Sequence, residues 1–118
     1  MNIVANKKII DVSSYNGTVN WKKAKQYGVD GAILKIIRKD LKRDNGFNRN
    51  YQACNKNHIN WGVYNYTYAT TPKKARADME LVCDILDKLD KKYFKLGVWL
   101  DIEDQAQAKL SKDEIASI

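Results

Sequence analysis

The segment Leu100-Asp101-Ile102-Glu103-Asp104 ends an apolar run, Leu96-Gly97-Val98-Trp99-Leu100, that reads as a β-strand. Residues two apart on a strand share a face, so Asp101 and Glu103 project together and Ile102 points into the opposite layer. Adjacent carboxyls raise each other's cost of ionisation, so one can keep its proton as a general acid while its neighbour stays charged. Breaking a glycosidic bond needs such a pair; a divalent-metal site or a solvated strand end would use the same residue types. Asp11, in Ile9-Ile10-Asp11-Val12-Ser13-Ser14-Tyr15-Asn16-Gly17, is a second acid at the end of an apolar run. Gly62, Tyr64, Tyr66 and Tyr68 alternate along a third run, giving a face of aromatic rings with room beside it, as stacking on sugars requires.

These residues need a scaffold that brings strand ends together. Four apolar stretches read as strands: Lys8 to Val12, Ala32 to Ile37, Trp61 to Tyr66 and Leu96 to Asp101. Helical patterns separate them. Asn20 can cap a short helix from Trp21 that stops at Tyr27-Gly28, and a second should span about Asn48 to Asn57. The third, opened by Pro72, carries Ala75, Met79, Val82, Leu86 and Leu89 at intervals of three and four, with Leu81 and Ile85 widening a sheet-facing stripe. Ser111 and Glu114 form a capping box that should open a fourth. Such alternation implies an α/β fold with a parallel sheet and right-handed crossovers, whose active sites form at the carboxyl ends of the strands. Asp11 and Asp101 end the first and fourth of those strands. A full (β/α)₈ barrel takes roughly 200 residues or more, so a chain of 118 holds about four strands of a TIM-like barrel, incomplete.

Composition narrows the partners. Hydrophobic residues make up 44% and charged residues 30%, as expected of a chain with a real core. Lys and Arg number 21 against 14 Asp and Glu, a net charge of +7 that attracts polyanions: nucleic acid, anionic membrane or bacterial wall polymers. No apolar run approaches the ~18–20 residues of a membrane span, so no membrane insertion is expected. The start, Met1 to Lys8, lacks the basic-then-apolar order of a signal peptide. Cys54 and Cys83 both lie in helical segments among apolar neighbours and are expected as buried free thiols. His58 stands apart from other ligand types, so no metal is expected. A basic nucleic-acid-binding module with Trp61, Tyr64 and Tyr66 as stacking platforms would explain the charge, but paired carboxylates would repel phosphate; no nucleic acid is expected.

Four segments, in order, resemble the glycoside hydrolase family 25 lysozymes, the N-acetylmuramidases. Ile10-Asp11-Val12-Ser13-Ser14-Tyr15-Asn16-Gly17 with Val19-Asn20-Trp21 is similar to the family's first strand and loop. Tyr27 to Lys35 resembles its second strand, Gly62-Val63-Tyr64-Asn65-Tyr66 its third, and Leu100-Asp101-Ile102-Glu103 its catalytic motif. The resemblance implies hydrolysis of the β-1,4 bond between N-acetylmuramic acid and N-acetylglucosamine in bacterial peptidoglycan, without a cofactor. Glu103 would be the general acid, Asp101 would assist the substrate's N-acetyl group, and Asp11 would line the same site. Tyr64, Tyr66, Lys35 and Tyr15 would contact substrate.

Three departures stand out. The chain has Ile36-Ile37-Arg38-Lys39 where the family usually places a small residue and then Thr-Glu-Gly, and Asn65 in place of a usual His. The later strands, with a further Asp, are missing. Residues 1–118 therefore read as a partial family 25 catalytic domain, truncated at the C-terminus. It would act at the cell wall or outside the cell, after phage-type release or removal of a signal. Its open edges suggest a homodimer. The alternative is an inactive fragment that only binds the wall or self-associates.

Overall fold

The structure, a computed structural model, describes residues 2–4 and 7–101. Its five strands are β1 (Asn2–Val4), β2 (Lys7–Val12), β3 (Gly31–Lys35), β4 (Asn60–Tyr66) and β5 (Phe94–Asp101), in the spatial order β1-β2-β3-β4-β5. Strands β2 to β5 run parallel to one another, as the alternating pattern predicts. Because each next parallel strand lies beside the last and winds in one direction, the helices gather on one face; this is the winding of a barrel, whereas doubly wound sheets reverse their order. Among the described residues β1 and β5 are the edges of this sheet, which there forms an open arc.

β1 is absent from the sequence reading. It pairs antiparallel with β2, Ile3 opposite Lys8, and its three residues give too short a pattern to register as a strand. At the other end, the Ser111 helix lies outside the described residues. β3 ends at Lys35, two residues short of the expected limit. Ile36 and Ile37 stay buried, and Ile37 makes an isolated antiparallel bridge with Arg43 instead of extending the ladder.

Three helices cover one face: α1 (Trp21–Gln26), α2 (Phe47–Lys56) and α3 (Pro72–Asp87). Asn20 caps α1, its Oδ1 accepting from the Lys23 amide at 3.0 Å, and Thr71 caps α3 by accepting from Lys74. Val12, Ala32, Leu34, Trp61 and Val63 of the strands meet Phe47 and Cys54 of α2 and Val82, Ile85 and Leu86 of α3 in one core. Trp61 is its centre, tilted against Tyr51 at 5.7 Å and Phe94 at 5.0 Å between ring centroids. Its indole Nε1 donates to Asn55 Oδ1 at 2.9 Å, so the ring is buried without an orphaned donor.

Both cysteines are free, but only Cys54 is buried. Cys83 lies off the α3 stripe and is exposed, which corrects the expectation drawn from its apolar neighbours. Burial pushes the Cys54 thiol up to about 12, so it stays protonated and unreactive near neutrality. His58 adopts φ +56° in the turn after α2 and stacks on Tyr93 at 5.2 Å.

Gly62 marks the closest approach of two strands. A Cβ there would lie 2.6 Å from the Gly97 carbonyl oxygen and 2.9 Å from the Leu96 carbonyl carbon, both backbone atoms. At this point the β4–β5 register shifts between Trp61 and Val63, and Gly97 takes φ +78° to allow it. Gly62→Ala must push β5 outward, at a cost of about 1–3 kcal/mol. A thermal melt should show the midpoint falling by several degrees, and an unchanged midpoint would mean that β5 yields freely.

Candidate active site

The face of the sheet opposite the helices lines a cavity of about 660 Å³. Strand alternation selects Ile9 and Asp11 from β2, Ile33 and Lys35 from β3, and Tyr64 and Tyr66 from β4, while β5, irregular at Gly97, contributes Leu96, Trp99, Leu100 and Asp101. The pairing stacks them in levels. Asp11 is level with Ile33 and Gly62, Lys35 with Tyr64 and Trp99, and Tyr66 with Asp101. The apolar floor thus rises toward a polar rim at the carboxyl ends of the strands, where α/β folds place their chemistry.

Of the residues picked out in the sequence, Asp11, Tyr15, Lys35, Tyr64, Tyr66 and Asp101 all line this one cavity. Glu103 lies outside the described residues. Asp11 is exposed and Asp101 is half-buried, both reachable from solvent. Asn65 is 2% exposed, does not line the cavity and belongs to the helix-facing layer, so its departure from the usual His leaves the wall untouched.

Tyr64 sits between the acids. Burial pushes its phenol up to about 12, helped by the negative charges of Asp11, Asp44 and Asp101 and opposed by a hydrogen bond with Ser13. The phenol therefore keeps its proton throughout the neutral range and offers an O–H donor among carboxylates. Its folded value exceeds the ordinary 10.0, so its share of stability is intact below about pH 10 and declines as pH rises from there toward 12. Absorbance titration of tyrosinate should show one phenol ionising near pH 12 that disappears in Tyr64→Phe; an identical curve for the variant would refute this placement.

Aromatic rings shape the rim. Tyr66 and Tyr68 lie 5.0 Å apart at 48°, the ammonium of Lys35 sits 5.7 Å from the centre of the Tyr15 ring, and Trp99 is 59% exposed. The indole Nε1 of Trp99 donates to Leu96 O at 2.8 Å, which helps hold the ring in the cavity lining.

Asp44 escaped the sequence reading. It is 4% exposed, and its carboxylate accepts from the Ser14 amide and hydroxyl, each at 3.0 Å, and from the Gly46 amide at 3.1 Å. This ties the loop after β3 to the short 3₁₀ turn Ser14–Asn16, which carries Tyr15. The turn is closed by a capping box, Tyr15 N donating to Ser13 Oγ and Ser13 N to Asn16 Oδ1. In the sequence, Asp44-Asn45-Gly46 announces only a turn, with no sign of its distant partner.

Among the described residues, no three His, Cys, Asp or Glu side chains come together as a metal site, and no helix is long and apolar enough to cross a membrane.

Comparison with known proteins gives these observations a context. No curated protein sequence matches the chain. Among solved structures, the modular autolysin LytC from Streptococcus pneumoniae, in complex with a synthetic peptidoglycan ligand, is 33% identical with a TM-score of 0.68; the alignment covers 82% of this chain and 22% of that one. A family 25 glycosyl hydrolase from Bacillus anthracis has a TM-score of 0.70 at 16% identity, covering 98% of this chain and 54% of the other. A muramidase from Trichobolus zukalii has the same score at 19% identity, covering 91% and 53%. These last two show the fold alone. The chain spans about half the length of those two and about a fifth of the autolysin. The sequence profile of "Glycosyl hydrolases family 25" matches residues 10–117, nearly the whole chain, and the chain belongs to that family.

Proposed function

We propose that this chain serves in the hydrolysis of bacterial peptidoglycan as an N-acetylmuramidase, opening the β-1,4 bond between N-acetylmuramic acid and N-acetylglucosamine. The observation that carries this reading is the convergence of Asp11, Tyr64 and Asp101 around one cavity at strand carboxyl ends, in a chain of family 25. The peptidoglycan ligand bound by the autolysin LytC supports the choice of polymer. So does the net charge of +7, which favours an anionic wall.

In this reading Glu103, two residues beyond Asp101, donates its proton to the glycosidic oxygen as the bond to the anomeric carbon breaks. The carbonyl oxygen of the substrate's own N-acetyl group closes on that carbon, and Asp101 orients the acetamide and balances its growing positive charge. Water then opens the ring so formed and returns a proton to Glu103. The Tyr64 hydroxyl donates to the sugar, Tyr15 and Tyr66 form its walls, Lys35 adds a donor and Asp11 shapes the far side.

Residues 1–118 are, in this proposal, part of a family 25 catalytic domain whose further strands extend the arc beyond β5. The shares of about half of the Bacillus anthracis and Trichobolus zukalii proteins support that. Its site of action would be the cell wall. The exposed Val98, Trp99 and Leu100 on the edge strand favour self-association when nothing covers them.

The deciding experiment digests purified peptidoglycan and reduces the products with borohydride before mass spectrometry. A muramidase leaves reduced muramic acid at the new ends. Reduced glucosamine, or release of peptides alone, would overturn the assignment.

A further inference from the structure

Beside the main cavity lies a second pocket of about 460 Å³, and Tyr15, Lys35 and Tyr68 form the wall common to both. Its other side comes from the loop after β3, with Arg38, Lys39 and Asp40. This is the stretch where a basic pair stands at the mouth of the site.

The charges in the pocket are not equivalent. Arg38 spends its guanidinium on Asp40 and on Asn45 Oδ1, the latter at 3.0 Å. Asp44 is saturated by Ser14 and Gly46. Among the described residues neither Lys35 nor Lys39 pairs with a carboxylate. Each ammonium instead rests near a tyrosine ring, Lys35 at 5.7 Å from the centre of Tyr15 and Lys39 at 4.8 Å from that of Tyr68. A cation over an aromatic face is held in place yet keeps its N–H donors open to a further partner. Three cations against two carboxylates leave one positive charge in the lining.

We infer that this second pocket binds a single carboxylate carried by the glycan strand whose sugars occupy the main cavity, with Lys35 and Lys39 as its receptor. The assignment deepens the proposed function and rests on it. One monoanion neutralises the surplus charge. A phosphate would favour the planar fork of Arg38, which is already engaged, and a dianion would meet Asp40 at the rim. The shared wall lets a group on the polymer in the main cavity reach this pocket.

The test is calorimetric binding to the wild type, Lys39→Gln and Lys39→Arg. The probes are a glucosaminyl-muramyl dipeptide with free carboxylates, the same fragment with its carboxylates amidated, and an oligomer of glycerol phosphate. The acid fragment should bind the wild type more tightly than the amide does. Lys39→Gln should weaken the acid by about 3–10-fold, a loss typical of one partly exposed charge-assisted contact, and leave the amide unchanged. Lys39→Arg should restore most of the loss, and rising salt should erase the preference for the acid. Equal binding of acid and amide, equal losses for both in Lys39→Gln, no binding of either, or a Lys39-dependent preference for glycerol phosphate would each overturn the carboxylate site. The hydrolase reading fails separately: if no muramic ends are released but Lys39 still discriminates acid from amide, the pocket stands and the proposed reaction does not.

Discussion

Glu103→Gln should reduce the release of soluble fragments from peptidoglycan by about 10²–10⁴-fold, the usual contribution of a positioned general acid. Asp101 ends β5 and lines the cavity, and Glu103 is its i+2 neighbour in the chain. The leaving sugar oxygen is a poor leaving group unless it is protonated as its bond breaks, and glutamine has nearly the shape of glutamic acid but no proton of comparable acidity. The substitution therefore removes the chemistry and spares the packing. Circular dichroism and the melting midpoint should match the wild type, and affinity for an uncleaved glycan should stay within a few-fold. The assay belongs in the protein carrying the complete catalytic domain, with turbidity loss of cell walls as the readout. Most of the activity surviving in Glu103→Gln would remove Glu103 from the role and direct attention to Asp101 or Asp11.

How much of this was legible in the sequence depended on how local each signal was. The four parallel strands showed through because each is a short β-branched or aromatic run whose neighbours along the chain are also its neighbours in space. The α3 stripe was legible for a similar reason: Ala75, Val82 and Leu86 repeat along a helix of 16 residues, enough turns for a period to emerge, and all three are buried. Among the cavity residues, Tyr64 and Tyr66 followed from alternation and Asp11 and Asp101 from their places at strand ends, whereas Lys35 was implied only by the family resemblance. Features that depend on contacts between distant segments were hidden. Asp44 looks like an ordinary turn residue until Ser14, thirty positions earlier, supplies two of its donors. The exposure of Cys83 turns on where α3 rolls against the sheet, which apolar neighbours in sequence do not report. β1 is only three residues long, and its antiparallel pairing depends on a partner that itself reads perfectly well without it. The meaning of Arg38 and Lys39 was likewise out of reach. Their loop looks like a solvated basic turn until Tyr68 and Tyr15, from other parts of the chain, appear beside the lysines.

Asp101→Asn should lower turnover by about 10²–10³-fold while changing substrate affinity little, the loss expected when a group aimed at developing charge is neutralised. In the proposed mechanism its role is exercised during reaction. Asp101 is half-buried at the end of β5, level with Tyr66 and one level above Tyr64, whose phenol keeps its proton beside it. A carboxylate in that position can accept from the acetamide N–H of a bound sugar and gains strength as positive charge spreads over the closing ring. Asparagine can also accept that hydrogen bond through its amide oxygen, so the ground state is nearly preserved and the defect should appear in kcat, with KM within a few-fold. The pH profile gives a second readout. If the charge of Asp101 holds the Glu103 proton in place, neutralising it should move the basic limb of the profile, the loss of the general acid, to lower pH. A large rise in KM at constant kcat would show instead that Asp101 only binds substrate. An unshifted profile with full activity would mean that the two carboxyls do not act as a pair, and the reading of Leu100-Asp101-Ile102-Glu103 as one catalytic unit would have to be abandoned.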